Sequence, residues 1–152
     1  NVYEHRFAGY KQALTEHNIP FDEDLLLISN LSDHAGVDVV SYISELKQPP
    51  DGIFASNDAA AVSIICELKR AGYKVPGDIA VAGFNNDPNS RVVEPNLTTV
   101  HYPGGEMGEL AALTLISRLE SDRNLPLSTV VLKHELIVRD SSIRKINHPV
   151  PA

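Results

Sequence analysis

The chain has 152 residues, 43% of them hydrophobic and 22% charged, which is typical of one globular domain with a substantial core. Its net charge is −7 and its 13 basic residues are scattered, so this chain lacks the clustered Lys and Arg of a surface that binds DNA or anionic membranes. No apolar run reaches the roughly 18 residues that a membrane-spanning helix needs.

The spacing of apolar residues predicts helices that alternate with short strands. In chain order these are a helix over 3–17, a strand over 24–30, a helix over 35–47, a strand over 53–56, a helix over 59–71, strands over 79–84 and 97–102, a helix over 103–121, and a long strand or hairpin over 129–142. Such alternation with short connections predicts an α/β fold, a parallel sheet with helices on both faces.

Two polar clusters directly follow predicted strands: Asn57–Asp58 and Asn85–Asn86–Asp87. In open parallel sheets, ligands bind beyond the carboxyl ends of the strands, so both clusters are candidate ligand groups at one edge. Amides donate and accept hydrogen bonds as hydroxyls do, which suits a hydroxyl-rich ligand. Each cluster also has a local alternative, because Asn and Asp are preferred helix N-caps and turn residues.

The helix over 59–71 is apolar on two sides near its start, which predicts burial on both sides. Self-association is one way to bury the second side. Cys66 lies among its apolar residues, so we expect a buried thiol.

The sequence contains no motif of a nucleophile elbow, a phosphate-binding loop or a zinc-binding helix. Its six histidines lack metal-ligand spacing, and the single cysteine excludes an internal disulfide. We therefore predict no enzyme activity, no cofactor and no metal site.

Four stretches follow one another in a distinctive order: "RFAGYKQAL" at 6–14, "PDGIFASNDAAAVSIICELKRAGYKVPGDIAVAGFNND" at 50–87, "PNLTTV" at 95–100 and "ELIVRDSS" at 135–142. Together they resemble the effector-binding core of LacI/GalR-type transcriptional regulators, which has the type I periplasmic-binding-protein-like fold. The resemblance covers most of the chain, and the 50–87 stretch is its most specific part.

The resemblance implies two α/β subdomains with a ligand cleft between them, preceded by a helix-turn-helix headpiece. Residues 1–98 and 129–142 would form most of the C-terminal subdomain, and the helix 104–122 would belong to the N-terminal subdomain. The headpiece would be absent from this chain, so operator DNA would be bound by the missing part of a longer cytoplasmic protein.

The resemblance also implies a set of ligand contacts: Arg6, Leu31, Asn57, Asp58, Asn85, Asn86 and Asp87. Asn85 stands where many family members have an aspartate, and a shift of the match would make Asp87 the working carboxylate. Leu31 stands where some members stack an aromatic ring on a sugar, which leucine does poorly.

The function implied is sensing of a small polar effector, a sugar or a sugar derivative, by a homodimeric regulator without a membrane partner. The helix 59–71 and the segment 88–95 would form the dimer interface through Ala60, Ser63, Ile64 and Glu67. The alternative is a periplasmic sugar-binding protein that serves a transporter or a chemoreceptor and shares the fold and the cleft.

Overall fold

The structure is a computed structural model that describes residues 1–29, 34–120 and 128–144. Its helices and strands are α1 (Val2–Glu16), α2 (Ala35–Glu45), β1 (Gly52–Phe54), α3 (Asp58–Arg70), β2 (Ala80–Asn85), β3 (Thr98–His101), α4 (Gly104–Glu120) and β4 (Glu135–Ile137). Two short 3₁₀ turns, Glu23–Leu25 and Pro88–Arg91, complete the described elements. In the described part of the chain, no helix is long and apolar enough to span a bilayer.

The strands of the described residues form one sheet in the order β1-β2-β3-β4. β1, β2 and β3 run parallel, and β4 pairs antiparallel with β3. The register places Ile53 beside Val81 and Gly83 beside Thr99. The predicted α/β fold is confirmed, with a sheet that is parallel except for β4.

Helices cover both faces of β2. A Cβ on Gly83 would lie 3.1 Å from the Ala61 Cβ, so α3 packs on the face to which Gly83 belongs. Phe84 points to the opposite face because side chains alternate along a strand. The Arg6 guanidinium of α1 lies 3.9 Å above the Phe84 ring, so α1 covers that face.

The core is concentrated around α3. Its inward residues Ala61, Ile64, Ile65 and Leu68 are almost fully buried. α2 packs directly on α3 at Gly36, whose backbone N–H donates to Ser63 Oγ at 3.0 Å. This close approach of the two helices leaves no room for a side chain at position 36.

The predicted strand over 24–30 is wrong in its described part. Residues 23–25 form a 3₁₀ turn, and residues 26–29 are assigned to no strand. Ile28 is 86% exposed. The continuous apolar run indicated burial, but a strand also needs a hydrogen-bonding neighbour, and none of the described strands pairs with these residues.

The predicted long strand over 129–142 is also wrong in extent, because only Glu135–Ile137 pairs in the sheet. Beyond it, the Thr98 hydroxyl bonds the backbone N–H and C=O of Arg139 at 2.8 and 2.9 Å. The chain then bends so that Ser141 bonds the backbone of Val81. Side-chain hydroxyls of Thr98 and Ser141 thus make part of the contacts that a strand ladder would make here.

Cys66 is exposed rather than buried, and its thiol is free. The apolar pattern of α3 extends around the helix, but only its inward side packs on the sheet and on α2. The expectation of a buried thiol is therefore corrected.

Two helical glycines provide a matched test of the contact between α2 and α3. A Cβ on Gly36 would lie 2.3 Å from the backbone O of Ser63, whereas a Cβ on Gly9 in α1 meets nothing within 4 Å. We expect Gly36→Ala to lower the free energy of unfolding by about 1–3 kcal/mol. Gly9→Ala should raise it by about 0.5–1 kcal/mol. Denaturant unfolding of the two variants measures both, and equal effects would contradict the tight packing.

Candidate functional site

The polar cluster after β1 begins α3. Asn57 is the N-cap, and its Oδ1 accepts a hydrogen bond from the Ala60 backbone N–H at 2.8 Å. The capping role that the sequence left open is therefore present. Asn57 also lies at the carboxyl end of β1, the edge at which the second cluster ends β2.

The cluster after β2 has an unusual backbone. Asn85 and Asn86 both have positive φ angles, 131° and 61°. Asparagine enters the left-handed region more readily than most residues, since its short side chain hydrogen-bonds locally. The Asn86 backbone N–H donates to Thr99 Oγ1 at 3.2 Å, which ties this turn to β3.

Arg6 reaches this edge from α1. One Nη atom donates to the backbone O of Ser56 at the end of β1, and the other donates to Asn85 Oδ1 at 3.3 Å. The guanidinium also stacks on the Phe84 ring. The structure thus brings Arg6, Asn85 and the end of β1 together, although they are far apart in sequence.

Asp58 has a different position from the one predicted. It is fully buried, with 0% exposure. Its Oδ1 accepts from Thr99 Oγ1 at 2.6 Å, and its Oδ2 accepts from the Asp87 backbone N–H at 2.8 Å. Both oxygens are occupied inside the protein, so the predicted direct ligand contact is replaced by a supporting role.

Asp87 belongs both to a turn and to the polar edge, the two interpretations that the sequence allowed for its cluster. Its backbone O accepts from Ser90 N and Oγ at 2.9 and 2.6 Å, which starts the 3₁₀ turn Pro88–Arg91. Its half-buried carboxylate accepts from Asn85 Nδ2 at 3.4 Å, which keeps it beside the Arg6–Asn85 pair. Turn and polar edge therefore coexist.

Two residues that contact the polar clusters, Thr99 and Arg139, were not predicted from the sequence. Thr99 bonds both Asp58 and Asn86, and Arg139 Nη2 donates to Asn86 Oδ1 at 2.7 Å. Thr99 gave no signal beyond its place in a short strand. Arg139 lies in the stretch "ELIVRDSS", which carried part of the resemblance but no assigned role. Leu31 falls outside the described residues.

The predicted interface residues are mostly turned inward. Ala60 and Ile64 belong to the buried core, at 1% and 3% exposure, so a direct role in a dimer contact is corrected. Ser63 accepts from Gly36 of α2, and Glu67 pairs with Arg70 on its own helix. The exposed side of α3 is instead formed by Ala59 and Cys66, with half-buried Val62 between them.

Histidine, cysteine and acidic side chains do not assemble into a metal-binding group of three or more within residues 1–29, 34–120 and 128–144. The polar edge consists of hydrogen-bonding groups: the guanidinium of Arg6, the amides of Asn57, Asn85 and Asn86, and the carboxylate of Asp87.

Residues 1–142 match a protein family described as periplasmic binding protein-like domain. The HTH-type transcriptional repressor PurR of Yersinia pestis is 34% identical over 136 residues, which are 90% of this chain and 40% of the repressor. The chain thus spans about two fifths of this curated relative.

Solved structures agree with this match. A LacI-type transcription regulator from Bifidobacterium animalis superposes with a TM-score of 0.86 and 29% identity, over 95% of this chain and 51% of that protein. The complex of the transcriptional regulator CelR with cellobiose superposes with a TM-score of 0.82 and 28% identity, over 90% of this chain and 42% of that protein.

The supporting role of Asp58 predicts a loss of stability when its charge is removed. In Asp58→Asn one oxygen becomes an NH₂ group, which cannot accept from Thr99 or from the Asp87 N–H. We expect the free energy of unfolding to fall by about 1–3 kcal/mol. Asp51→Asn is the control, because Asp51 is exposed. Denaturant unfolding of both variants measures the difference, and an unchanged Asp58→Asn would refute the role.

Proposed function

The chain belongs to the periplasmic binding protein-like domain family, as found in LacI-type transcriptional regulators, and on that premise we propose that it senses a small polar effector for a DNA-binding parent protein. The observation that carries the proposal is the meeting of Arg6 and Asn85, 3.3 Å apart at the carboxyl ends of parallel strands. Open α/β sheets bind their ligands at this edge.

The chemistry of the edge favours a carbohydrate or a derivative of one. Amides and a guanidinium present donors and acceptors at fixed angles, and a carboxylate accepts from hydroxyl groups. Asn57, Asn85 and Asp87 supply such groups beside Arg6. The related regulator CelR is complexed with cellobiose, which supports a sugar as the effector of this chain.

We place the cleft between this edge and a second subdomain that includes α4. Nothing in α4 is buried, and Leu113, Leu115, Ile116 and Leu119 are each at least half exposed. A helix with so many exposed apolar side chains needs a partner. In this assignment 1–98 and 129–142 form the C-terminal subdomain, and 104–122 belongs to the N-terminal subdomain.

Effector binding would act by closing the cleft. The chain leaves β3 after His101, and Tyr102 packs near Phe84 with ring centroids 6.4 Å apart. A ligand bound at the Arg6 edge would therefore lie close to the backbone that crosses from β3 to the second subdomain. An effector shifts the open–closed equilibrium only by its difference in affinity for the two states. The operator would be bound by a headpiece outside this chain, in the cytoplasm.

A dimer interface is proposed on the exposed side of α3, in place of the inward residues. Ala59, Val62 and Cys66 share that side, and Val92 in the adjoining segment is 79% exposed. Lys69 Nζ donates to the Glu94 backbone O at 2.6 Å, which holds the segment against α3. An isologous contact between two such patches would bury Val92. The regulator relatives favour this reading over a periplasmic transport protein.

Removal of the guanidinium tests the effector site. A panel of mono- and disaccharides that includes cellobiose is screened by thermal shift on the full-length parent protein. For a sugar that binds, Arg6→Ala should weaken affinity about 10- to 100-fold in calorimetry, because charge-assisted hydrogen bonds are lost. Operator affinity should stay within about twofold.

Arg70→Ala is the matched control, since Arg70 is an exposed arginine that pairs with Glu67. Asn57→Asp adds a second check, because aspartate keeps the N-cap but loses the amide donor. The site assignment fails if Arg6→Ala and Arg70→Ala bind the sugar equally well. The sugar class fails if no member of the panel shifts the melting temperature.

A charge at Val92 tests the proposed interface. In Val92→Glu two like charges would face each other across the two-fold axis, so the dimer dissociation constant should rise at least about tenfold. Val2→Glu on α1 is the control, because Val2 is 59% exposed and α1 covers the face of β2 opposite α3. Sedimentation equilibrium of the full-length protein compares the two. Equal dissociation constants would place the interface elsewhere.

A further inference from the structure

We propose that Arg139 is a positioning residue that, through Asn86, holds the β2 turn and fixes the tautomer of His101 at the end of β3. The inference rests on the proposed function only where it calls this turn the ligand edge. The hydrogen-bond geometry carries the rest.

Arg139 is anchored by three acceptors that carry no charge. Nη1 donates to Ser90 Oγ at 3.0 Å and to the Leu97 backbone O at 2.8 Å, and Nη2 donates to Asn86 Oδ1 at 2.7 Å. No carboxylate of the described residues forms an ion pair with it. Its position is therefore set by hydrogen-bond directions from the 3₁₀ turn, from the start of β3 and from the end of β2.

The guanidinium determines which way the Asn86 amide points. A guanidinium only donates, so the amide oxygen must face Arg139 and the NH₂ group must face away. On that side Asn86 Nδ2 lies 3.3 Å from His101 Nδ1. An amide nitrogen also only donates, so Nδ1 must be the acceptor. The ring proton of His101 is then on Nε2.

This chain of contacts links two parts of the site. Asn86 has a φ of 61° and follows Asn85, whose side chain accepts from Arg6. His101 is the last residue of β3, from which the chain continues toward α4. One amide, oriented by one arginine, therefore contacts both the turn that carries Asn85 and the exit of the strand.

The test reads the tautomer directly and needs no effector. The full-length parent protein is labelled with ¹⁵N-histidine and studied by solid-state NMR at pH 8.5, where free imidazole is neutral. The His101 signals are those that disappear in His101→Gln. We expect a pyridine-type Nδ1 and a pyrrole-type Nε2. A pyrrole-type Nδ1 in the unmodified protein would overturn the proposal.

Two variants distinguish the effect of the Asn86 amide on the His101 tautomer from the effect of Arg139. Asn86→Asp keeps an acceptor for Arg139 but also presents an oxygen to His101, so Nδ1 should become pyrrole-type. Arg139→Met frees the amide to rotate, so both tautomers should appear. Asn89→Asp and Arg91→Met are the matched controls, because both residues are exposed in the neighbouring 3₁₀ turn. Neither control should move the His101 signals.

Asn86→Asp decides the question even if Arg139→Met fails to fold, since it retains the arginine contact. A His101 that keeps its Nε2–H tautomer in Asn86→Asp would refute the link through Asn86. Because no sugar or operator is added, this result stands apart from the test of the proposed function. Loss of sugar binding in Arg6→Ala with unchanged His101 signals would leave both proposals standing.

Discussion

The carboxylate of Asp58 is the interaction on which the polar edge depends. It is fully buried and has no cationic partner among the described residues, yet it accepts from Thr99 Oγ1 and from the Asp87 N–H. Its place as the first residue of α3 adds the favourable field of a helix N-terminus. A Cβ on Gly83 would lie 2.4 Å from its Oδ1, so the glycine is what lets the carboxylate enter.

Beside the contact with Asp58, hydrogen bonds from several elements hold the conformation of the turn after β2. Thr99 bonds the carboxylate and also accepts from the Asn86 N–H. Two arginines then orient the two asparagine side chains: Arg6 contacts Asn85, and Arg139 contacts Asn86. Positive φ angles at consecutive non-glycine residues are costly and persist only where surrounding bonds over-determine them. The strain and its supports therefore lie at the edge where we place the ligand.

Local patterns were enough to predict most elements, and long-range bonds explain the failures. Helical spacing and the Asn57 cap predicted α3 to within a residue, because both signals are local. The apolar run at 24–30 was misread as a strand, since sequence does not show whether a neighbour is available. Asp58 was misassigned because a polar residue beside Asn57 gives no sign that Thr99 and Asp87, about 30 to 40 positions away, occupy its oxygens. The role of Arg139 was not predicted for the same reason, since its hydrogen-bond partners are also distant in sequence.

Under the proposed function, this arrangement would make effector binding and cleft closure one event. Every polar group described at the edge comes from one side of the proposed cleft, from α1, from the end of β1 and from the β2 turn. A sugar held only here would keep its other face in water, and its contacts would remain weak because solvent competes for each hydrogen bond. Closure of the second subdomain over the sugar would exclude this competing water. In the proposed function, the affinity of the closed state would therefore exceed that of the open state, and this difference would be the free energy available to move a headpiece.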